Sequence, residues 1–495
     1  MNRNACIQRL EAEPGGWDFI VVGGGATGLG AAVEAAARGY RTLLVEQGDF
    51  ARATSSRSTK LIHGGVRYLR QGNIQLVRES LRERGLLLRN APGIVHSLAF
   101  ALPAHSWWEL GWYGTGLKLY DALAGGLGLG ASRWLGRDTF LQEVPTIAAD
   151  GLKGGVRYQD AQFDDARLAL ALAQTLLDLG GLPLNYVRVE ALIKDRGRIR
   201  GVVACDLETG ASLKCSARVV INATGIFSDA VRRLDEPNAP RRLTLSQGAH
   251  VVLDRSLFPG TTALIVPRTV DGRVLFAIPW LDRVLVGTTD TPVEEPDSEP
   301  RPLTVEVDYL LDHIGRHLVR APARTDVLSA WAGLRPLVGS NRASATARLP
   351  RDHDISVSKS GLVSIAGGKW TTYRKMGEDV IDAAEPVAGL QHRPSRTATL
   401  MLHEPRSSAA GVRERLHPRL SVTAEDVQRA VREEAARTVE DMLARRSRAL
   451  LLDARAAIEV SSRVTAIMAQ ELERDAEWEM KQVVAFEKLA AGYLP

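Results

Sequence analysis

The run Gly23-Gly-Gly25-Ala26-Thr27-Gly28 restricts the fold of this chain more than any other stretch. Before it, Trp17-Asp-Phe-Ile-Val-Val22 is a short apolar segment that predicts a buried strand. After it, small residues at Gly28, Ala32 and Ala36 share one face of a predicted helix, which Gly39 stops. Arg41-Thr-Leu-Leu-Val45 predicts a second strand, and Glu46 closes it 18 positions beyond Gly28. G-x-G-x-x-G between a strand and a helix lets a pyrophosphate approach the free N–H groups of a helix N-terminus. An acid at the end of the second strand accepts from ribose hydroxyls and argues against a 2′-phosphate there. Alone the glycine pattern is weak; strand, helix and acid at this spacing predict a dinucleotide site that uses Gly23, Gly25, Ala26, Thr27, Gly28 and Glu46.

The next segment, Thr54-Ser-Ser-Arg-Ser-Thr-Lys-Leu-Ile-His-Gly-Gly-Val-Arg-Tyr-Leu69, leaves the second strand on the side where ligands of such sheets bind. Thr54, Ser55 and Ser56 offer hydroxyls to pyrophosphate or ribose. Gly64-Gly65 lets backbone approach a ring, and Arg67-Tyr68 can hold an anion. Most loops are merely polar surface, but this one is unusually dense in groups that bind cofactor and substrate.

Two later segments read as further pieces of the same site. Arg218-Val-Val-Ile-Asn-Ala-Thr-Gly225 is an apolar strand that brings Ala223 and Gly225 back beside the nucleotide. Gly361-Leu-Val-Ser-Ile-Ala-Gly-Gly-Lys-Trp-Thr-Thr-Tyr373 is strand, turn and helix start, and places Gly367, Gly368, Lys369 and Thr371 there as well. The fold class is therefore α/β: a discontinuous Rossmann-type domain from 16–95, 165–245 and 350–390. Inserted into it is an antiparallel-sheet substrate domain, 96–164 and 246–349. Arg273–Asp290 reads as two strands joined at Asp282, and Arg335, just before Pro336, lies in extended backbone able to lean over a pocket. Beyond a linker around Pro405, helical spacing (Val427, Ala430, Val431, Val439, Met442, Leu443) predicts an all-helical domain over 400–495, with packing or assembly as its default role.

Composition narrows the class. At 495 residues the chain exceeds a single core, and 45% apolar with 24% charged residues is ordinary for a globular enzyme. Cys6, Cys205 and Cys215 have no metal or redox spacing, so no metal site and a reduced, cytoplasmic setting are expected. No apolar run is long enough to span a bilayer, and no signal peptide is expected. The net charge of +5 comes mostly from arginine, since only ten of 63 basic residues are lysine. Scattered arginines read as a solvated surface, and nucleic acid is not an expected partner. One surface candidate remains: three of the nine tryptophans, Trp107, Trp108 and Trp112, fall within six positions, with Leu117, Leu119 and Tyr120 beyond. This is either a membrane-interface anchor or quinone mouth, or an aromatic cluster buried between domains.

Together with Ile278-Pro-Trp, Gly287–Asp290 and Gly333–Pro336, these motifs follow one another in an order that resembles FAD-dependent glycerol-3-phosphate dehydrogenases over nearly the whole chain. The resemblance implies a D-amino-acid-oxidase-like fold with non-covalent FAD and oxidation of sn-glycerol 3-phosphate to dihydroxyacetone phosphate. It also implies ubiquinone or menaquinone as acceptor and peripheral attachment to the cytoplasmic face of the membrane, and leaves a homodimer open. Carried over by position, it gives the substrate phosphate to Arg67, Tyr68 and Lys369, with Thr371 beside them. Arg335 falls near the reacting carbon, and Arg351 in a loop that approaches the flavin. His63 is the expected general base, because imidazole titrates near neutral pH. An oxygen-using oxidase, an amino-acid oxidase of the same fold and a non-catalytic flavoprotein are the alternatives.

Overall fold

The computed structural model describes the chain except positions 14, 67, 68, 70, 71, 268, 270, 271, 340–352 and 405–413. Arg67, Tyr68 and Arg351, named above, and the linker residue Pro405 lie outside the described residues.

Two sheets organise the chain. In the first, Trp17–Val22 sits between Thr42–Val45 and Ser212–Asn222, with Leu182–Leu184 outside one neighbour and Val363–Gly367 outside the other, all parallel. Val22 pairs with Val45 and Asn222, and Asn222 with Ser364, so the carboxyl ends reach one edge together. Where they run parallel these strands are mostly apolar because both faces are covered. Helices Ala26–Ala37, Asp165–Asp178 and Tyr373–Ala388 cover one; strands Val187–Asp195 and Arg198–Asp206 with helix Arg3–Ala12 cover the other. Helix Ala26–Ala37 buries Leu29, Ala32, Val33 and Ala36. It meets helix Tyr373–Ala388 so closely that a Cβ on Gly377 would lie 2.6 Å from the Gly30 carbonyl oxygen. That contact sets the second helix, and the Gly367-Gly368-Lys369 turn before it, beside the first strand's end.

The second sheet has ten strands among the described residues, in the order Thr291–Val293, Leu243–Asp254, Arg283–Gly287, Leu275–Trp280, Ala263–Val266, Val95–Ala104, Gly154–Phe163 and Leu61–Ile62. Val327–Val338 joins Leu243–Asp254, and Arg133–Gly136 joins Gly154–Phe163. The strands expected around Asp282 are present as Leu275–Trp280 and Arg283–Gly287. The sheet is antiparallel except for one pair: Ala263–Val266 runs parallel to Val95–Ala104. That pair joins two chain segments far apart in sequence, so no hairpin dictates its direction.

Helices Ala424–Glu433, Ala454–Leu472 and Ala476–Ala490 form most of the C-terminal domain. The apolar positions that predicted it are all buried, in a cluster that also contains Val252, Trp280, Leu285 and Trp331 of the second sheet. No helix among the described residues is long and apolar enough to cross a membrane.

Candidate active site

A cavity of about 1250 Å³ opens where the strand ends of the first sheet face the second sheet. At one end lies the glycine turn. Gly23 has φ +112°, and a Cβ there would lie 2.6 Å from the Ala223 carbonyl oxygen. A Cβ on Gly28 would lie 1.9 Å from the Gly23 carbonyl oxygen, so the turn closes only without side chains. The Glu46 carboxylate accepts from the N–H groups of Gly24 (2.6 Å) and Gly48 (2.8 Å), which still leaves acceptor positions on both oxygens. Burial pushes its carboxyl above the ordinary range. Ser55 Oγ accepts from Ala26 N–H at the helix start (2.9 Å), and Thr54 Oγ1 donates to the Leu334 carbonyl (2.7 Å), tying this loop to the strand of Arg335.

At the other end, Arg335 stands opposite Ser246 in the second sheet and enters the cavity wall. Its guanidinium passes over Gly248, where a Cβ would lie 2.2 Å from Nη2. It donates to Thr288 Oγ1 (3.0 Å) and the Thr289 carbonyl (3.1 Å), with Asp290 at 3.5 Å. Ser246 donates in turn to Asp290. Fixed on three sides, the fork has one orientation. Lys369, from the first sheet's side, reaches the same cavity and donates to Ser80 Oγ at 3.2 Å. The His63 N–H donates to Thr371 Oγ1 at 3.3 Å, and both residues line the cavity.

Gly23, Gly25, Ala26, Thr27, Glu46, Thr54, Ser55, His63, Ala223, Gly225, Arg335, Gly367, Gly368, Lys369 and Thr371 thus face one space. Two expected residues do not. Gly28 acts behind the turn by making room for Gly23, and Ser56 gives its carbonyl to Lys60 Nζ (2.9 Å) and Arg448 (2.9 Å).

Sequence reasoning missed His250, which lines the cavity, holds Thr59 Oγ1 at 3.0 Å and stacks on Trp331 at 4.2 Å. Burial, then the charges of Lys60 and Arg335, keep this imidazole neutral. No motif marks it; the bare Gly248 two positions earlier is the sole local trace. Reading scattered arginine as solvated surface is also corrected. Arg445 and Arg446 are buried against Asp49, and Arg448 donates to Asp165 (2.9 Å), which also holds Lys60 (2.7 Å). Arg57 pairs with Glu299, which accepts from Tyr493 Oη (2.7 Å). Each cluster joins the C-terminal domain to a segment at the cavity.

The tryptophan group is not a buried cluster. On helix Trp107–Ala124, Trp107, Trp108 and Trp112 are 71%, 76% and 56% exposed, whereas Leu117 and Tyr120 are buried. Trp112, Tyr113, Gly116, Leu117 and Leu119 also line the cavity's apolar arm.

A steric cradle of glycines, a carboxylate at the second strand's end and a cavity of about 1250 Å³ fit a flavin dinucleotide. Residues 18–374 match the family described as FAD dependent oxidoreductase, and residues 363–479 match the C-terminal domain of alpha-glycerophosphate oxidase. The chain belongs to the family of FAD-dependent oxidoreductases, and its cofactor is FAD. Within that family it is similar to glycerol-3-phosphate dehydrogenases. It is 42% identical over 404 residues to the mitochondrial enzyme of Homo sapiens, covering 78% of this chain and 55% of that one. It is 37% identical over 511 residues to the probable mitochondrial enzyme of Caenorhabditis elegans, covering 92% and 70%. The chain thus spans little more than half the length of the human relative. The structure of the glycerol-3-phosphate dehydrogenase from Bacillus halodurans complexed with FAD superposes with a TM-score of 0.79 at 30% identity, covering 100% of this chain and 98% of that one.

Proposed function

We propose that the protein oxidises sn-glycerol 3-phosphate at C2 to dihydroxyacetone phosphate and passes the electrons to a membrane quinone. The observation that carries this reading is the convergence of Arg335 and Lys369, from two different sheets, on the cavity that holds the glycine turn. Bound FAD supplies the hydride acceptor. Lys369, with Arg67 and Tyr68 assigned by resemblance, holds the phosphate, since a dianion taken out of water needs cations and hydrogen-bond donors around it. Arg335, locked by Thr288, Thr289 and Asp290, orients the C1 and C2 hydroxyls and stabilises oxyanion character at C2. His63 accepts the C2 hydroxyl proton. His250 is the second reading for that step, on its place in the same wall.

The acceptor end of this reading rests on the tryptophan helix. Exposed indoles favour a bilayer interface, and Lys118 lies 5.5 Å from the Trp134 ring beside them, suited to anionic headgroups. We infer that this face meets the cytoplasmic side of the membrane and that a quinone enters by the cavity's apolar arm.

Anaerobic titration of the purified yellow protein with glycerol 3-phosphate tests the reaction. The flavin absorbance bleaches with the phosphate ester and hardly at all with glycerol. Equal bleaching by both, or by neither, overturns the reading. Peroxide formed stoichiometrically in air, without quinone reduction, would assign an oxidase instead.

A further inference from the structure

Three buried polar side chains that the proposed reaction does not use are linked in a relay to one backbone amide, that of Gly64, which lies between the cavity-lining His63 and Gly65. The Gly64 N–H donates to Tyr120 Oη at 2.8 Å, Tyr120 Oη donates to Asp160 Oδ2 at 2.8 Å, and Arg84 donates to Asp160 Oδ1 at 2.8 Å. The three side chains come from three elements: helix Ile74–Asn90, helix Trp107–Ala124 and strand Gly154–Phe163. All are 1–2% exposed, and Asp160 itself lines the cavity. Arg84 also lies 5.9 Å over the Tyr120 ring, and Tyr120 meets Tyr158 edge-on at 6.1 Å.

Stability alone does not call for such a group, because apolar residues of the same volume commonly do as well as a buried ion pair. What the group accomplishes is local. Gly64 lies between His63 and Gly65, and Gly65 turns at φ +77°. A Cβ on Gly64 would meet Leu81 at 2.5 Å and Tyr120 Oη at 2.6 Å, so the backbone is pressed directly onto the phenol. On its other side the His63 backbone is held by Thr371. The turn is thereby clamped between the Lys369–Thr371 segment and Tyr120.

We propose that Tyr120, fixed by Asp160 and Arg84, is a positioning residue that sets the His63–Gly65 turn against the cofactor and substrate. Because Tyr120 stands on the helix that carries Trp107, Trp108 and Trp112, the turn is mechanically joined to the exposed indole face. A shift of that helix reaches His63 through one hydrogen bond, without crossing a flexible loop. The kinetic side of this proposal rests on the glycerol 3-phosphate reading; the structural side does not.

The test uses the FAD-loaded full chain and the variants Tyr120→Phe and Asp160→Asn. Backbone amide exchange is followed over residues 61–66, together with steady-state kinetics on glycerol 3-phosphate. Tyr120→Phe is expected to speed exchange at Gly64 about tenfold and to lower kcat about five- to tenfold, with KM within about twofold. Asp160→Asn retains an acceptor for the phenol but strips Arg84 of its counter-charge, so it is read as exchange at Gly64 relative to strand Leu243–Asp254 of the same molecule, a ratio that should fall between wild type and Tyr120→Phe. Unchanged exchange at Gly64 in both variants overturns the proposal. So does a uniform rise in exchange across the protein, which marks a merely structural role. If wild type does not oxidise glycerol 3-phosphate, the proposed reaction fails while the exchange result still decides this one.

Discussion

The segment from Glu46 to Ser58 is held from two sides in opposite ways. Toward the glycine turn, it is fixed by backbone: Gly24 and Gly48 N–H groups on Glu46, and Ala26 N–H on Ser55. Toward the C-terminal helices, it is fixed by buried charge. Asp49 faces Arg445 and Arg446, the Ser56 carbonyl accepts from Arg448, and Arg57 reaches Glu299 under Tyr493. The backbone side tolerates no added atom, whereas the charged side tolerates no missing partner. A cofactor turn needs shape before anything else; a domain junction needs a unique register, which buried ion pairs can supply.

The largest expected effect breaks the shape side. Gly28→Val places carbon where the Gly23 carbonyl now lies, so the purified variant should be colourless, with no 450 nm flavin band and no turnover. Next comes the charged side. Asp165→Asn leaves Lys60 buried without its counter-charge and Arg448 with only Asp164 at 3.7 Å, and Asp49→Asn strips Arg446 of its carboxylate while Arg445 keeps Glu440 and Asp441. Each should lower unfolding free energy by about 3–5 kcal/mol in a urea titration. Lys60→Met should cost far less, because Arg448 still faces Asp165. Within the cavity, Arg335→Ala or Lys369→Ala should lower kcat/KM for glycerol 3-phosphate about ten- to hundredfold, the kinetic equivalent of about 1.5–3 kcal/mol for a charged contact.

Acidity separates the two sides further. Burial alone would raise the Asp49 carboxyl, but Arg446 and Arg445 outweigh it and hold it below the ordinary 3.8. A depressed folded value means the contribution is complete above that pH and is lost as pH falls through the folded value. Wild type should therefore lose stability in acid more steeply than Asp49→Asn. Lys60 has the same sign at the alkaline end, where the charged form is the one that burial disfavours. Burial, aided by Arg448, lowers its ammonium from 10.5 to about 7, so the unfolded chain binds more protons between those values. Stability should rise with pH across that window in wild type relative to Lys60→Met. The smallest effect is at the rim of the same C-terminal domain, where Lys481 and Glu477 pair one turn apart and are 67% and 65% exposed. Glu477→Gln should change stability by no more than about 0.5 kcal/mol.

How much could be read beforehand follows the same division. The turn at Gly23–Gly28, the acid at Glu46, the strand at Arg218–Asn222 and the helix after Lys369 carry their signals within a few residues, since steric demand is written locally. Arg335 was legible because Pro336 fixes the backbone before it. His250, Asp160 and the arginine clamps were not, because each has meaning only through a partner far along the chain. Asp49 and Arg445 are 396 positions apart, and Arg57 and Glu299 are 242 apart. Nothing around either member shows that the other exists. The indole group was half legible: its spacing left an exposed face and a buried cluster both open, because periodicity could not say which side of helix Trp107–Ala124 faces outward.

The strand order has a consequence for the timing of assembly. Trp17–Val22 is made long before Ser212–Asn222, one of its two sheet neighbours, and before Val363–Gly367, the strand beyond that. A nascent chain released to residue 200 holds the glycine turn but lacks the wall that closes over it, and the acidic clamp at Asp49 waits for residues 445 and 446. Pairings of such separation form slowly and leave apolar strand edges uncovered meanwhile. Flavin capture therefore waits for residues 363–446, and a ribosome stalled before Val363 would release a chain with strand edges bare and the cofactor turn unwalled.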